Sequence, residues 1–349
     1  MYATMSMADT PAEGEEQSMD EQIERALDSV VVPGAERSLV QLGLVRQVDR
    51  ADGQVRIVLG DAALADEMKQ AIDESVRVAV AAVTGDDAVV QFTSMTTEEA
   101  NDIGHTVAIM SGKGGVGKSL VTGLLAVALG RAGFRVGLLD ADLTGPSIPK
   151  MFGVEGRPYG SPTGILPIAS SLGKPVMSMN LLLESSDQPV IWRGPLIDKA
   201  LRQFGKEVLW GRLDFLLIDL PPGTADAVLT VMQAFPIDGV VVVFTPQDLV
   251  DMIVRKAINM TGMMQKRVLG VVENMSYLYV PELDKRMELF GPSRGDEMAK
   301  VANAPLLGRI PIDPMLAALC DRGQIEAYES DVVSTLGTGL LDALGVSHS

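Results

Sequence analysis

Eight consecutive residues carry the clearest chemical signal in the chain: Gly112-Lys113-Gly114-Gly115-Val116-Gly117-Lys118-Ser119. They fit the P-loop pattern, two glycines with four residues between them followed by Lys-Ser. The glycines let successive backbone N–H groups converge on phosphate oxygens without interference from a Cβ. Val116 and the flanking glycines then form the cradle, and the N-terminus of the next helix adds a favourable dipole. Lys118 is placed to reach the β- and γ-phosphates, and the Ser119 hydroxyl to ligate Mg²⁺. A glycine-rich turn with a chance Lys-Ser would lack this context, an apolar strand before it and an Ala/Leu-rich helix, Leu120 to Ala132, after it. Lys113 is not needed to build the cradle. It is either a solvated lysine or a charge delivered to phosphate, from its own chain or from a facing subunit, as an arginine finger is delivered.

Three carboxylates follow short apolar runs. Arg135–Leu139 ends in Asp140-Ala141-Asp142, and Phe215–Ile218 ends in Asp219-Leu220-Pro221-Pro222-Gly223. Ligands of open α/β sheets bind beyond the carboxyl ends of the strands, so all three should approach the P-loop. Asp219 has the Walker B arrangement and is expected to hold Mg²⁺ through water, while Asp142 could orient the attacking water. Asp140 reads equally as a turn residue.

The elements that must position these groups are legible as a change of pattern near residue 104. Beyond it, apolar runs at Thr106–Met110, Arg135–Leu139, Val176–Met179, Phe215–Ile218, Val240–Phe244 and Val268–Val272 alternate with helical segments. Runs this short and continuous predict buried parallel strands with helices between them. The expected fold class is α/β: a doubly wound, mainly parallel sheet over residues 104–345, preceded by a small α+β domain over residues 21–95. That small unit should hold a helix over Glu21–Val31, a strand over Val55–Leu59 after the turn Asp52-Gly53, a helix over Ala63–Ala82 and a strand over Asp87–Phe92. Ser94 to Gly104 reads as a linker, and residues 1–20 as a disordered acidic lead.

The 349 residues suffice for two domains. With 29 Lys and Arg against 46 Asp and Glu, the net charge is −17, which disfavours passive binding to a nucleic-acid backbone. No apolar run is long enough to span a membrane, and the first residues lack a basic start and an apolar stretch, so neither a membrane span nor a secretory signal is expected. One cysteine, Cys320, permits no intrachain disulfide. A cytoplasmic protein is the expectation. Cys320 reads as a buried structural thiol on a helix over Pro314 to Asp321. His105 reads as a surface residue, and with His348 it offers no metal-ligand spacing.

The P-loop with its extra lysine is similar to the deviant Walker A of the MinD/ParA/nitrogenase-iron-protein class. Asp140-Ala-Asp-Leu-Thr-Gly-Pro-Ser147, Val190-Ile-Trp-Arg-Gly-Pro195, Glu273-Asn-Met-Ser-Tyr277 and Gly308-Arg-Ile-Pro-Ile-Asp313 narrow the resemblance to the Mrp branch. Leu39-Val-Gln-Leu-Gly-Leu-Val-Arg46 resembles the small domain that often precedes the ATPase there. The resemblance implies an ATPase that carries or delivers iron–sulphur clusters to client proteins and works as a homodimer. It implies that Lys113 crosses to the partner's phosphate, that Asn274 hydrogen-bonds adenine, and that Pro311 and Asp313 lie in the base pocket. The chain departs from the family in one place. Where relatives carry Cys-Pro-x-Cys, it reads Val280-Pro281-Glu282-Leu283. Neither Val280 nor Leu283 can ligate iron, so no bound cluster is expected, and both side chains are expected to pack, an interface between subunits being one place for them. The alternative function is then an ATP-dependent dimerisation switch that acts through a protein partner.

Overall fold

The computed structural model describes residues 19–51, 53–142, 145, 147–182, 194–223, 226–247, 250–280 and 283–347. The acidic lead up to residue 18, most of the Val190–Pro195 motif, Pro281 and His348 lie outside them.

The N-terminal unit begins with α1 (Met19–Asp28). β1 (Val45–Ala51), β2 (Gln54–Gly60) and β3 (Asp87–Thr93) make its sheet, and α2 (Asp66–Thr84) packs across it. α1 stops short of the expected Val31, because Val31–Val32 pairs instead with Arg37–Ser38 and the Ser38 hydroxyl donates to Asp28 at 2.5 Å. α2 starts three residues later than expected. Ala63 takes a left-handed φ of 56° in a turn closed by Leu64 N–H to Asp61 C=O, and the acidic pair Asp66 and Glu67 then favours the helix N-terminus.

The expected linker is structured. Thr96 opens a short helix, α3 (Thr97–Ala100), with a reciprocal capping box to Glu99. β4 (Asp102–Met110) follows at once. Arg37, 6% exposed, donates to the carbonyls of Trp210 (2.6 Å), Gln41 (3.0 Å) and Arg212 (3.2 Å). Asn101 bridges Val208 and Gly211, and Leu166 and Leu209 are buried within the core of the small unit. The small unit is therefore docked on the strand-start end of the larger one.

The larger unit continues through α4 (Lys118–Arg131), β5 (Val136–Asp140), β6 (Ile168–Ala169), β7 (Pro175–Ser178), α5 (Gly194–Glu207) and β8 (Arg212–Asp219). Next come α6 (Asp226–Ala234), β9 (Gly239–Phe244), α7 (Val250–Met263), β10 (Arg267–Glu273) and a hairpin of β11 (Leu278–Val280) and β12 (Lys285–Met287). α8 (Gly295–Ala302), β13 (Leu306–Arg309), α9 (Pro314–Asp321) and α10 (Asp331–Leu344) complete it. The sheet order is β6-β7-β5-β8-β4-β9-β10-β13, parallel except for the edge strand β6.

Alternate side chains of each strand enter opposite cores. Val107 and Ile109 face the core that buries α4 and α10, whereas Ala108 and Met110 face the core that includes Val228 and Val231 of α6 and Met298 of α8. With helices on both faces, the sheet is doubly wound, as expected. Every residue of β5 and β9 is buried, which is why these strands read as unbroken apolar runs. α4 is apolar on all sides, as a helix enclosed by a sheet and a second helix must be. No helix among the described residues is long and apolar enough to cross a membrane.

Candidate functional site

The central strand β4 runs into the P-loop, and α4 leaves it. Gly115 and Gly117 both adopt φ of 80°, a region that favours glycine. Gly117 also has no room for a side chain, since a Cβ there would lie 2.1 Å from Asn274 Nδ2. That amide donates to Val116 C=O at 2.9 Å and braces the loop. Asn274 is 1% exposed and follows β10.

β5, β8 and β4 lie side by side in a register that pairs Asp219 with both Asp140 and Ile109. The strand ends are therefore level, and the carboxylates gather at one edge. Lys118 Nζ lies 2.7 Å from Asp219 Oδ1 and 3.7 Å from Asp142 Oδ2. The Lys118 ammonium is buried and lines the cavity, held by the Asp219 carboxylate at its base. A phosphate above the loop would add a second anionic partner to it. Ser119 Oγ donates to Asp219 Oδ2 at 2.5 Å, and Thr122 Oγ1 to Asp219 Oδ1 at 2.9 Å. Burial pushes the Asp219 carboxyl up, and the Lys118 ammonium opposes that shift.

Asp140 has a different task from its neighbours. It is fully buried and accepts N–H bonds from Asp142 (3.1 Å), Ser147 (3.1 Å) and Ile148 (3.2 Å). It ties down the loop that carries Asp142. Burial, reinforced by the adjacent Asp219, pushes Asp140 up to about 8.

A cavity of about 770 Å³ opens above the P-loop. Gly114 to Ser119, Asp142, Asn274, Pro311 and Asp313 line it. Gly112 and Lys113 do not; Lys113 Nζ donates to Gln247 of its own chain, in the loop after β9. Asp313 is already engaged, since Oδ1 accepts Met315 N–H and Oδ2 accepts the Tyr328 hydroxyl, both at 2.8 Å. Burial pushes the Tyr328 phenol up to about 12, so it stays a donor. Cys320, expected as a buried structural thiol, is only half-buried and lines this cavity; burial, then Asp321, pushes its thiol up to about 11. His105 is half-buried, stacked on Phe215 with ring centroids 5.4 Å apart.

Leu283 does not pack within its own chain; it is 68% exposed, and Tyr279 and Met287 are exposed as well. The packing expected of it is left to an interface between subunits. Val280 is half-buried in β11. The reason is local, as β11 and β12 form a two-stranded ribbon that has no second layer of its own. No cysteine or histidine lies on this ribbon, so the residues present do not fit an iron–sulphur ligand set.

The family profile for ParA-type proteins described as NUBPL iron-transfer P-loop NTPases matches residues 102–338. This chain belongs to that family. A second profile, for an iron–sulfur cluster assembly protein, matches residues 20–91. An iron-sulfur cluster carrier protein of Clostridium perfringens is 45% identical over 249 residues, covering 68% of this chain and 87% of the relative. A protein of the same name from Synechocystis is 40% identical over 305 residues, covering 83% and 86%. A solved nucleotide-binding protein from Archaeoglobus fulgidus in complex with ADP is 46% identical, with a TM-score of 0.60, over 67% of this chain and 93% of that one.

Several working residues of this family member carry no motif of their own. Thr122 lies one turn beyond Lys118 on α4, a spacing that places both on one face. Gln247 and Tyr328 reach the site only through tertiary contacts. Glu273 was legible only as a letter in Glu273-Asn-Met-Ser-Tyr277. It is fully buried and accepts bonds from Ser276, Ser293 and Arg294 N–H, holding the segment after the hairpin beside the cavity.

Proposed function

We propose that the chain binds ATP with Mg²⁺ in the cavity above the P-loop, hydrolyses it, and does so as a homodimer in iron–sulphur cluster assembly or delivery. The observation that carries this reading is the convergence of Lys118, Ser119 and Asp219 at the base of the cavity, with a buried ammonium facing the glycine cradle. The Ser119 hydroxyl would ligate Mg²⁺, and Asp219 would hold it through water. The ion would neutralise charge on the transferred phosphoryl group. Lys118 stabilises the same charge, and Asp142, held by Asp140, orients the attacking water. Asn274, Pro311 and Asp313 lie toward the base. Lys113 acts across the dimer once it leaves Gln247. The family and the names of its relatives support the assembly role, and the relative holding ADP supports the nucleotide.

The exposed ribbon favours a second reading, in which this member holds no cluster itself and acts as an ATP-dependent dimerisation switch on a protein partner. Hydrolysis tests the common core of both. Lys118→Ala is expected to abolish phosphate release and to weaken ATP binding roughly tenfold to a hundredfold, the loss of a charge-assisted contact of about 1.5–3 kcal/mol. Asp142→Ala is expected to bind ATP but turn over slowly. Normal hydrolysis by Lys118→Ala would remove the site assignment.

A further inference from the structure

The described lining of the nucleotide cavity contains a single aromatic side chain, Phe290. It belongs to none of the motifs described above. Phe290 lies on the return segment of the β11–β12 ribbon, where Gly291 N–H closes a turn to Glu288 C=O at 3.3 Å. Gly291 takes φ of 95°, so the reversal requires glycine.

Both ends of the ribbon are fastened to the cavity wall. On one side, Ile312 N–H donates to Tyr277 C=O at 2.7 Å, and Leu278 pairs with Ile312, between Pro311 and Asp313. On the other, the Ser293 hydroxyl and Arg294 N–H donate to Glu273 at 2.6 and 2.7 Å. Glu273 adjoins Asn274, which braces the P-loop. Phe290 sits between these anchors with 40% of its surface exposed.

We propose that Phe290 is the wall against which the nucleotide base stacks, and that this contact fixes the β11–β12 ribbon in place. The proposal rests on the reading of the cavity as a nucleotide site. The P-loop recognises phosphate only, and the polar groups near the base are partly engaged: one Asn274 N–H by Val116, and each Asp313 oxygen by one donor, Met315 N–H or the Tyr328 hydroxyl. Phe290 adds the one aromatic face in the described lining that a flat base can stack on. Stacking on an aromatic side chain is tolerant of base identity, because every base has such a face. Phe290 therefore contributes affinity for adenine and guanine nucleotides alike. By linkage, any molecule that binds the fixed ribbon binds more tightly when nucleotide is present, and raises nucleotide affinity by the same factor.

The test measures binding of ADP and of tripolyphosphate, which has no base, by titration calorimetry. It uses the full chain as wild type, Phe290→Ala and Phe290→Tyr, and follows amide exchange over residues 278–290. Phe290→Ala is expected to weaken ADP about tenfold or more, leave tripolyphosphate unchanged, and regain ADP affinity as Phe290→Tyr. ADP is expected to slow exchange in the ribbon of the wild type, and not in saturated Phe290→Ala. Equal ADP affinity in wild type and Phe290→Ala overturns the proposal, as does an equal loss for ADP and tripolyphosphate. A ribbon whose exchange ignores ADP in the wild type overturns the coupling. If the wild type binds neither ligand, the nucleotide reading itself has failed, and the proposal falls with it.

Discussion

At the residue scale, the same side chain type does different work according to burial and partners. Asp140, Asp142 and Asp219 lie at neighbouring strand ends, yet Asp140 holds a loop, Asp219 anchors the P-loop lysine and serine, and only Asp142 lines the cavity. Motif spacing revealed the group and offered Asp140 as a turn residue, but not the partners that make it one, because the N–H groups of Ser147 and Ile148 are contributed by a loop whose path depends on the fold. The lone cysteine offers a probe of the same cavity. With its thiol pushed up to about 11 from an ordinary 9.0, Cys320 exposes little thiolate at neutral pH. Iodoacetamide is expected to label it about a hundredfold more slowly than a free thiol at pH 8, with the rate rising about tenfold per pH unit and levelling off near the folded value. Saturating ATP should slow labelling further. Labelling by mass spectrometry at the rate of a free thiol, unaffected by ATP, would place Cys320 outside the nucleotide's reach.

At the element scale, legibility followed burial. β5 and β9 are enclosed on both faces, so their apolar runs announced them. The helix over Pro314–Asp321 was readable to its bounds, since Asp313 caps it and Pro314 opens it. α3 was misread as linker, although its capping box was present in the sequence as Thr96 to Glu99. The β11–β12 ribbon was not legible at all. Its residues are half-buried or exposed, and one end of it is anchored by a bridge to the distant Ile312. This ribbon is where cluster binding can be tested. The unmodified chain is expected to take up no iron–sulphur cluster on anaerobic reconstitution. Val280→Cys with Leu283→Cys creates the Cys-Pro-x-Cys spacing that the family resemblance implies, and two such pairs in a dimer would supply the four thiolates that a [4Fe–4S] cluster requires. Iron analysis finding about four irons per dimer in the unmodified chain would sink the cluster-free reading.

At the scale of the whole molecule, two contacts govern behaviour. Lys113 rests on Gln247 within its own chain. If ATP draws it across a dimer, sedimentation of Asp142→Ala with ATP should show association, and ADP should show less. An unchanged monomer at saturating ATP would confine Lys113 to its own chain. Arg37 is the second contact, its guanidinium lowered to about 10 by burial and then by Arg135. Its removal takes away three hydrogen bonds at the junction of the two units, although the Gln41 carbonyl keeps the N–H of Arg212. Arg37→Ala is expected to cost about 2–4 kcal/mol and several degrees in calorimetric melting, with the P-loop untouched and ATP hydrolysis per folded molecule preserved. An unshifted transition would mean that apolar packing around Leu166 and Leu209 holds the units alone. The docking also sets a distance. β4 has nine residues, starting under the small unit and ending at the P-loop, which is about 30 Å of strand. Anything the small unit captures is thereby tethered at the far pole from the phosphates. With the unit docked there is no flexible tether, so only a molecule whose own length spans about 30 Å gains effective concentration at the ribbon from being held at the other end.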